Sequence, residues 1–408
     1  MALIKRSLGL LLVVPLLYAL QLNVRMFYTP DMVLSAKGTY NQDLYQQLQF
    51  LKSALHDGGA GAQMQQVYPE GYVFLHALYG LSWANAVRYT AEDKLLGEAL
   101  AELSWTIGRL ESEQARAVFP EDMFLSYGVF YQGWLNYTRG RYLQLHQRMG
   151  GVDSLQQESF QAACARIAAA VERHHTPFLF SYHYGCWPAD NVVALATLTW
   201  HDNLFAPKYE QLRANWLEAM QQKLDEQGLM PHSADLTYGN AQQMARGSSQ
   251  SLMLAFWQQI DSAFAQQQYE LYKRQFLDHR LGLPGVREYA ATYNGRGDID
   301  AGPIIWGIGG SASVVGMGTV AQYADSSSYL GLRSSLEGFG AAMTWRGKKQ
   351  YLLGQLPMAD AFIAWSHSRV PPALWGLKPK PKITTLIFLW LPALLLGGWV
   401  WFALRPKT

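Results

Sequence analysis

The chain predicts an all-α fold, an (α/α)6 toroid of six helical hairpins flanked by N- and C-terminal transmembrane helices. Three observations predict it: uncharged apolar runs at both ends, a scarcity of the Val/Ile/Thr alternation that strands require, and helix starts of one recurring type.

The ends come first. Lys5 and Arg6 precede an uncharged run from Ser7 to Leu22, which Asn23 and Val24 extend to Arg25. Leu17-Tyr18-Ala19 is a poor small-x-small cleavage site, so residues 1–24 read as an uncleaved membrane anchor rather than a signal peptide. Ile383 to Leu404 is also uncharged, with Lys378, Lys380 and Lys382 before it and Arg405 and Lys407 after. That length suits the roughly 20 residues needed to cross a bilayer, so residues 383–404 are predicted as a transmembrane helix. Residues 25–377 form one α/α-barrel domain without a low-complexity linker. Two spans place both termini on one side. Lys5 and Arg6 favour a cytoplasmic N-terminus, which puts the body on the periplasmic, extracytoplasmic side of a bacterial inner membrane, with the lipid bilayer as a partner.

The net charge of +2, without a Lys/Arg cluster interleaved with aromatics, argues against nucleic-acid binding. The two cysteines, Cys164 and Cys186, leave the compartment open, as one disulfide or two free thiols.

Segments 93–110 and 206–225 read as amphipathic outer helices. Helices of a second, almost uncharged kind alternate with them. They begin at Tyr68-Pro69-Glu70, at Phe119-Pro120-Glu121-Asp122 and at Trp187-Pro188-Ala189-Asp190. Pro suits the first helical position, where its missing N–H costs nothing, and an acid suits the partly positive first turn. Gly302-Pro303 and Leu356-Pro357, with Asp360 behind, repeat the pattern, and Ala245 to Ser249 supplies a sixth start in which Ser caps the helix. Helices apolar all round are buried, whereas amphipathic ones face solvent. Six inner and six outer helices make a toroid; a generic helical bundle is the competing arrangement. Parallel inner helices gather Glu70, Glu121, Asp122, Cys186, Asp190, Arg246, Ser248 and Asp360 at one end. The loop before Pro303 adds Arg287, Glu288, Asp298 and Asp300.

Within that end, Gly297-Asp298-Ile299-Asp300-Ala301-Gly302-Pro303 holds two carboxylates at i and i+2. Like charges held close raise one pKa and leave an acid beside a base; the plainer reading has Asp300 capping a helix and Asp298 solvated. The stretch 182–191 offers His183 as a base, Cys186 as a thiol whose pKa a helix N-terminus would lower, and Asp190 as an acid, unless Cys186 is a buried structural thiol. Arg246, Arg287 and Glu288 are candidate orienting groups, or an Arg–Glu tie between loops. Tyr68, Glu70, Tyr72, Tyr182, Trp187 and Trp306 would line the cup, where aromatics stack on sugar rings or on any apolar substrate. His174 and His175 would point apart on a helix, and no third ligand is spaced to join them, so neither a metal nor another cofactor is expected. Gly307 to Ala312 has the look of a dinucleotide fingerprint, but it reads as part of an apolar helical run that follows no strand.

The strings Tyr184 to Asn191, Ala245 to Ser251 and Gly297 to Pro303 resemble a group of bacterial α/α-barrel proteins similar to linalool dehydratase/isomerase, over residues 40–365. The resemblance implies cofactor-independent acid–base chemistry on a monoterpene alcohol through Cys, His, Asp and Tyr side chains, with Cys186 matching one family cysteine. No cysteine follows Cys186 in this chain, where that family has a second. The Asp298/Asp300 loop is instead what glycosidases or polysaccharide lyases of the α/α class would use. The expected function is therefore acid–base chemistry on a hydroxylated small molecule or oligosaccharide, a glycan hydrolase or lyase first. Asp298 or Asp300 would work opposite Glu121, Asp122 or Asp190. The alternatives are a lyase of small isoprenoid alcohols centred on Cys186 and His183, and a non-catalytic scaffold with partners in a membrane complex.

Overall fold

The two apolar ends of the chain pack on each other, and the body between them closes into a ring. The computed structural model describes residues 2–405 apart from Tyr184, Thr292, Asn294, Ile299, Asp300, Pro381 and Lys382. The chain is mostly helical. It opens with α1 (Ala2–Arg25), a hairpin of β1 (Met32–Ser35) and β2 (Gly38–Asn41), then α2 (Gln42–His56) and the short α3 (Ala60–Val67). Next come α4 (Gly71–Ala86), α5 (Asp93–Leu110), the single turn α6 (Glu113–Arg116), α7 (Gly128–Arg148), α8 (Ser154–Arg173), α9 (Pro188–Leu204) and α10 (Glu210–Gln221). After β3 (Ser233–Ala234) and β4 (Ala241–Gln243) follow α11 (Gly247–Ile260) and α12 (Ser262–Phe276). The hairpins β5 (Leu277–Arg280) with β6 (Leu283–Val286) and β7 (Ile304–Ile305) with β8 (Ile308–Gly309) precede α13 (Gly310–Gln322) and α14 (Ser326–Phe339). Last are β9 (Met343–Trp345), β10 (Lys348–Gln350), α15 (Pro357–Ser368), the short α16 (Pro372–Trp375) and α17 (Ile383–Leu404).

Among the described residues, α4, α7, α9, α11, α13 and α15 each pack on the next, and α15 packs back on α4. Each carries an outer helix: α5, α8, α10, α12 and α14 in turn, with α2 covering α15. The division follows side-chain chemistry. Inner helices such as α4 and α9 bury nearly every face, whereas α5 and α12 bury one stripe.

The expected helix starts hold at Pro188 and Pro357, each the first residue of its helix. Elsewhere the structure corrects them. Pro69 and Glu70 form the turn before α4, with Glu70 as its N-cap. Pro120, Glu121 and Asp122 lie in a loop, and α7 starts only at Gly128. There the backbone passes so close to the loop segment 180–181 that a Cβ on Gly128 would lie 2.1 Å from the Ser181 carbonyl oxygen. The second and third α7 amides, of Val129 and Phe130, donate to the Phe180 and Ser181 carbonyls. After Pro303 the chain makes the β7–β8 hairpin before α13 begins. Its two turn residues, Trp306 (φ 51°) and Gly307 (φ 83°), are both left-handed, the geometry of a type I′ hairpin turn. The Gly307 to Ala312 string thus does follow a strand, but an antiparallel one, outside any parallel βαβ unit. No serine caps α11: Arg246 is its N-cap residue, and Ser248 bonds elsewhere.

At the ends, α17 has the span read from sequence, and it is long and apolar enough to cross a membrane; the apolar part of α1, Gly9–Arg25, is shorter. The Asn23 side chain of α1 donates to the Leu389 carbonyl of α17 at 3.0 Å. A buried charge cluster then fastens α1 to the barrel. Lys349 Nζ donates to Asp43 at 2.6 Å and to Glu337 at 2.8 Å, with Lys349 and Glu337 each only 1% exposed. Arg25, at the end of α1, pairs with Glu337, while Tyr28 donates to Asp43 and Tyr351 to Glu337. Removing one member of such a cluster strands its partners in a dry site. Lys349→Met should therefore lower unfolding free energy by about 3–5 kcal/mol, measured by chemical denaturation in detergent, and a loss below about 1 kcal/mol would show that the cluster is not buried as described.

Candidate functional site

A cavity of about 820 Å³ opens at the end of the ring where the inner helices begin. Two carboxylates reach it from different helices: Glu70 from the start of α4, and Asp190, 7% exposed, from the first turn of α9. Tyr68, Tyr182 and Trp187 stand beside them. Tyr182 and Trp187 stack with ring centroids 5.0 Å apart at 18°, a flat aromatic wall. Phe74, Phe130, Leu252 and Phe362 make much of the remaining wall apolar.

The floor continues into a polar group at the start of α11. His232, on the loop before β3, lies 2.5 Å from Ser249 Oγ through Nδ1. Burial, with the Arg246 cation nearby, pushes its pKa down to about 4, so the ring is neutral and can exchange a proton with a ligand only as a base or a neutral donor. Ser248 Oγ donates to Glu288 Oε1 at 2.7 Å. Glu288 is 0% exposed, and its other oxygen has no hydrogen-bond partner among the described residues. Burial raises this carboxyl to about 7. Behind it Arg246 pairs with Asp298. Burial works against ionising Asp298, but the Arg246 guanidinium and the Ala301 N–H outweigh it and hold the carboxyl below its usual range. His232, Ser248 and Ser249 line the cavity, whereas Arg246, Glu288 and Asp298 support the floor from behind.

No family model matches the chain, and no curated protein matches it. A solved structure described as an unsaturated glucuronyl hydrolase specific for heparin aligns with a TM-score of 0.44 and 12% identity, covering 80% of this chain and 96% of that one. A likeness at that level carries no argument about this chain's chemistry, which rests on the cavity.

Of the residues singled out in the sequence, Tyr68, Glu70, Tyr182, Trp187, Asp190 and Trp306 line the cavity. Asp300 lies outside the described residues. Tyr72 is buried against His76, with centroids 4.2 Å apart, and Glu121 and Asp122 are exposed on their loop, away from the cavity lining. His183 is exposed, in a left-handed turn. Arg287 pairs with Asp278 at 3.1 Å and donates to the Tyr289 carbonyl, so it does not tie to Glu288, whose carboxylate goes to Ser248. His174 and His175 lie past the end of α8 with ring centroids 4.7 Å apart, facing each other rather than pointing away.

Cys186 corrects the expectation of an activated thiol. It is 3% exposed and absent from the cavity lining, and burial, with Asp190 adding to it, pushes the thiol pKa up rather than down. Cys164 and Cys186 are both free. His232 belongs to no motif in the sequence, and Ser249 reads there only as part of a helix start. The available signal was position: His232 lies between an outer and an inner helix, on the kind of loop that this fold brings to the site end.

Two outcomes follow from these environments. Cys164 and Cys186 should resist iodoacetamide in the folded protein and react only after unfolding, as read by mass spectrometry; rapid native labelling of Cys186 would restore it as a candidate nucleophile. The unfolded Glu288 carboxyl releases its proton near 4.5 and the folded one near 7, so the unfolded state binds fewer protons between those values and stability falls as pH rises through that window. Asp360, buried and raised from 3.8 to about 7, acts in the same direction. Glu288→Gln should flatten the fall in melting temperature from pH 4.5 to 7, and an unchanged slope would contradict the raised carboxyl.

Proposed function

We propose that this chain is a membrane-anchored enzyme that performs acid–base chemistry on a hydroxylated substrate, a glycan hydrolase or lyase, with its barrel on the extracytoplasmic side. One observation carries the reading: Glu70 of α4 and Asp190 of α9 enter the same cavity beside the Tyr182–Trp187 stack. A pair of carboxyl groups about a glycosidic oxygen is the usual apparatus, one giving a proton to the leaving oxygen while the other takes one from water or from carbon. The aromatic wall suits a sugar face. His232, neutral and bonded to Ser249, is placed to hold a substrate hydroxyl. Asp298, fixed on Arg246, is better suited to support than to proton transfer. The anchor would be the α1–α17 pair, with Lys5 and Arg6 left in the cytoplasm.

The apolar walls favour a second reading, a lyase acting on an isoprenoid alcohol. On this geometry its proton transfers would fall to Glu70, Asp190 and His232, because the Cys186 thiol lies outside the cavity.

A thermal-shift screen of the full-length protein in detergent, against oligosaccharides, uronic acids and isoprenoid alcohols, identifies the substrate class, since a ligand that binds only the folded state raises the melting temperature. With the substrate so found, Glu70→Gln and Asp190→Asn should each lower kcat by about 100-fold or more while leaving the fold intact. Full activity in both variants would remove the carboxylate pair from the mechanism.

A further inference from the structure

The cavity extends beyond the ring. Its lining runs past Leu332, Leu336 and Phe339 of α14 and ends on Leu389 of α17. Both terminal helices meet the barrel at this same end. A Cβ on Gly282, at the tip of the β5–β6 hairpin, would lie 2.2 Å from Thr385 Oγ1 near the start of α17, and the Arg25–Glu337 pair docks the end of α1 on α14. Leu389 lies about 9 Å along α17 from Ile383, a depth that belongs to hydrocarbon in a helix that spans.

The mouth is apolar as well. Leu281 is 43% exposed, Ile305 64%, Trp306 66%, Phe339 50% and Leu352 43%, and all five line the cavity. Trp306 projects from a hairpin tip, and tryptophan is the side chain that favours the membrane–water interface. Contiguous exposed apolar surface of this kind marks a contact face. The anchor beside it determines which contact is available.

We propose that this end of the barrel rests on the bilayer and that the cavity admits the hydrocarbon tail of a membrane-resident amphiphile, whose hydroxylated head reaches Glu70 and Asp190. The proposal rests on the acid–base reading for the head and on the α1–α17 anchor. It adds the substrate class, a lipid-linked one, and its route of entry from the membrane. A soluble oligosaccharide would leave Leu336, Phe339 and Leu389 facing water; a tail covers them.

The test uses the full-length protein in phosphatidylcholine vesicles, irradiated with dodecyl glucoside bearing a diazirine at the chain end, and separately with a glucose diazirine lacking the chain. Adducts of the dodecyl probe should map to peptides containing Leu336, Phe339 or Leu389, and the tail-less probe should give few. Leu389→Trp, which fills the tail path, should cut that labelling at least fivefold, whereas Leu394→Trp, on the exposed face of α17, should leave it unchanged. Adducts confined to the outer face of α17, or equal labelling by both probes, would overturn the tail site. The acid–base reading fails independently: tail labelling with no loss of turnover in Glu70→Gln and Asp190→Asn sinks the carboxylates and keeps the tail site. Loss of turnover without tail labelling does the reverse.

Discussion

Closure of the inner ring by α15 against α4 is the constraint on which the other features depend. Inner helices such as α4 and α13 are apolar on nearly all sides and α7 is buried along most of its length, and a closed ring with an outer layer gives them neighbours on all faces. Alternating inner and outer helices make the inner ones parallel, which sends all their N-termini, and the loops that enter them, to one end. The cavity lies there for that reason.

At that end two effects compete, the helix dipole, which favours negative charge, and burial, which opposes it. The dipole is worth about 0.3–1 kcal/mol in ordinary positions, while burying a charge without a partner costs several. Burial wins at Asp360, raised to about 7 although it sits in the first turn of α15 and accepts the Tyr351 N–H, and it wins at Cys186. Ionisation survives where a guanidinium is in contact, as at Asp298 beside Arg246. The site end therefore holds both acids raised by burial and one lowered by a cation.

The same end carries the attachment to the terminal helices. The Lys349 cluster joins α1, α2, α14 and β10, and through Arg25 it fixes the end of α1 beside the cavity mouth. The rim hairpins β5–β6 and β7–β8 complete that face. Both turn on two left-handed residues, Leu281-Gly282 and Trp306-Gly307, so their apolar tips project outward.

The sequence by itself determined the features that depend on local chemistry. Uncharged length marked α17 to the residue, apolar against amphipathic character separated inner helices such as α4 from outer ones such as α5, and Pro with a following acid located the starts of α9 and α15. Tertiary structure decided what depends on contacts between distant segments. The start of α7 lies at Gly128, where loop segment 180–181 crosses, and the Gly307 to Ala312 string split between a hairpin and a helix. Of the acids in the helix-start pattern, Glu70 and Asp190 entered the cavity, Glu121 and Asp122 stayed in solvent, and His232 arrived from a loop with no motif. A pattern in sequence records propensity and period, which act over a turn or two of helix. Burial, pairing and access to a shared cavity are set by which segments the closed ring brings together.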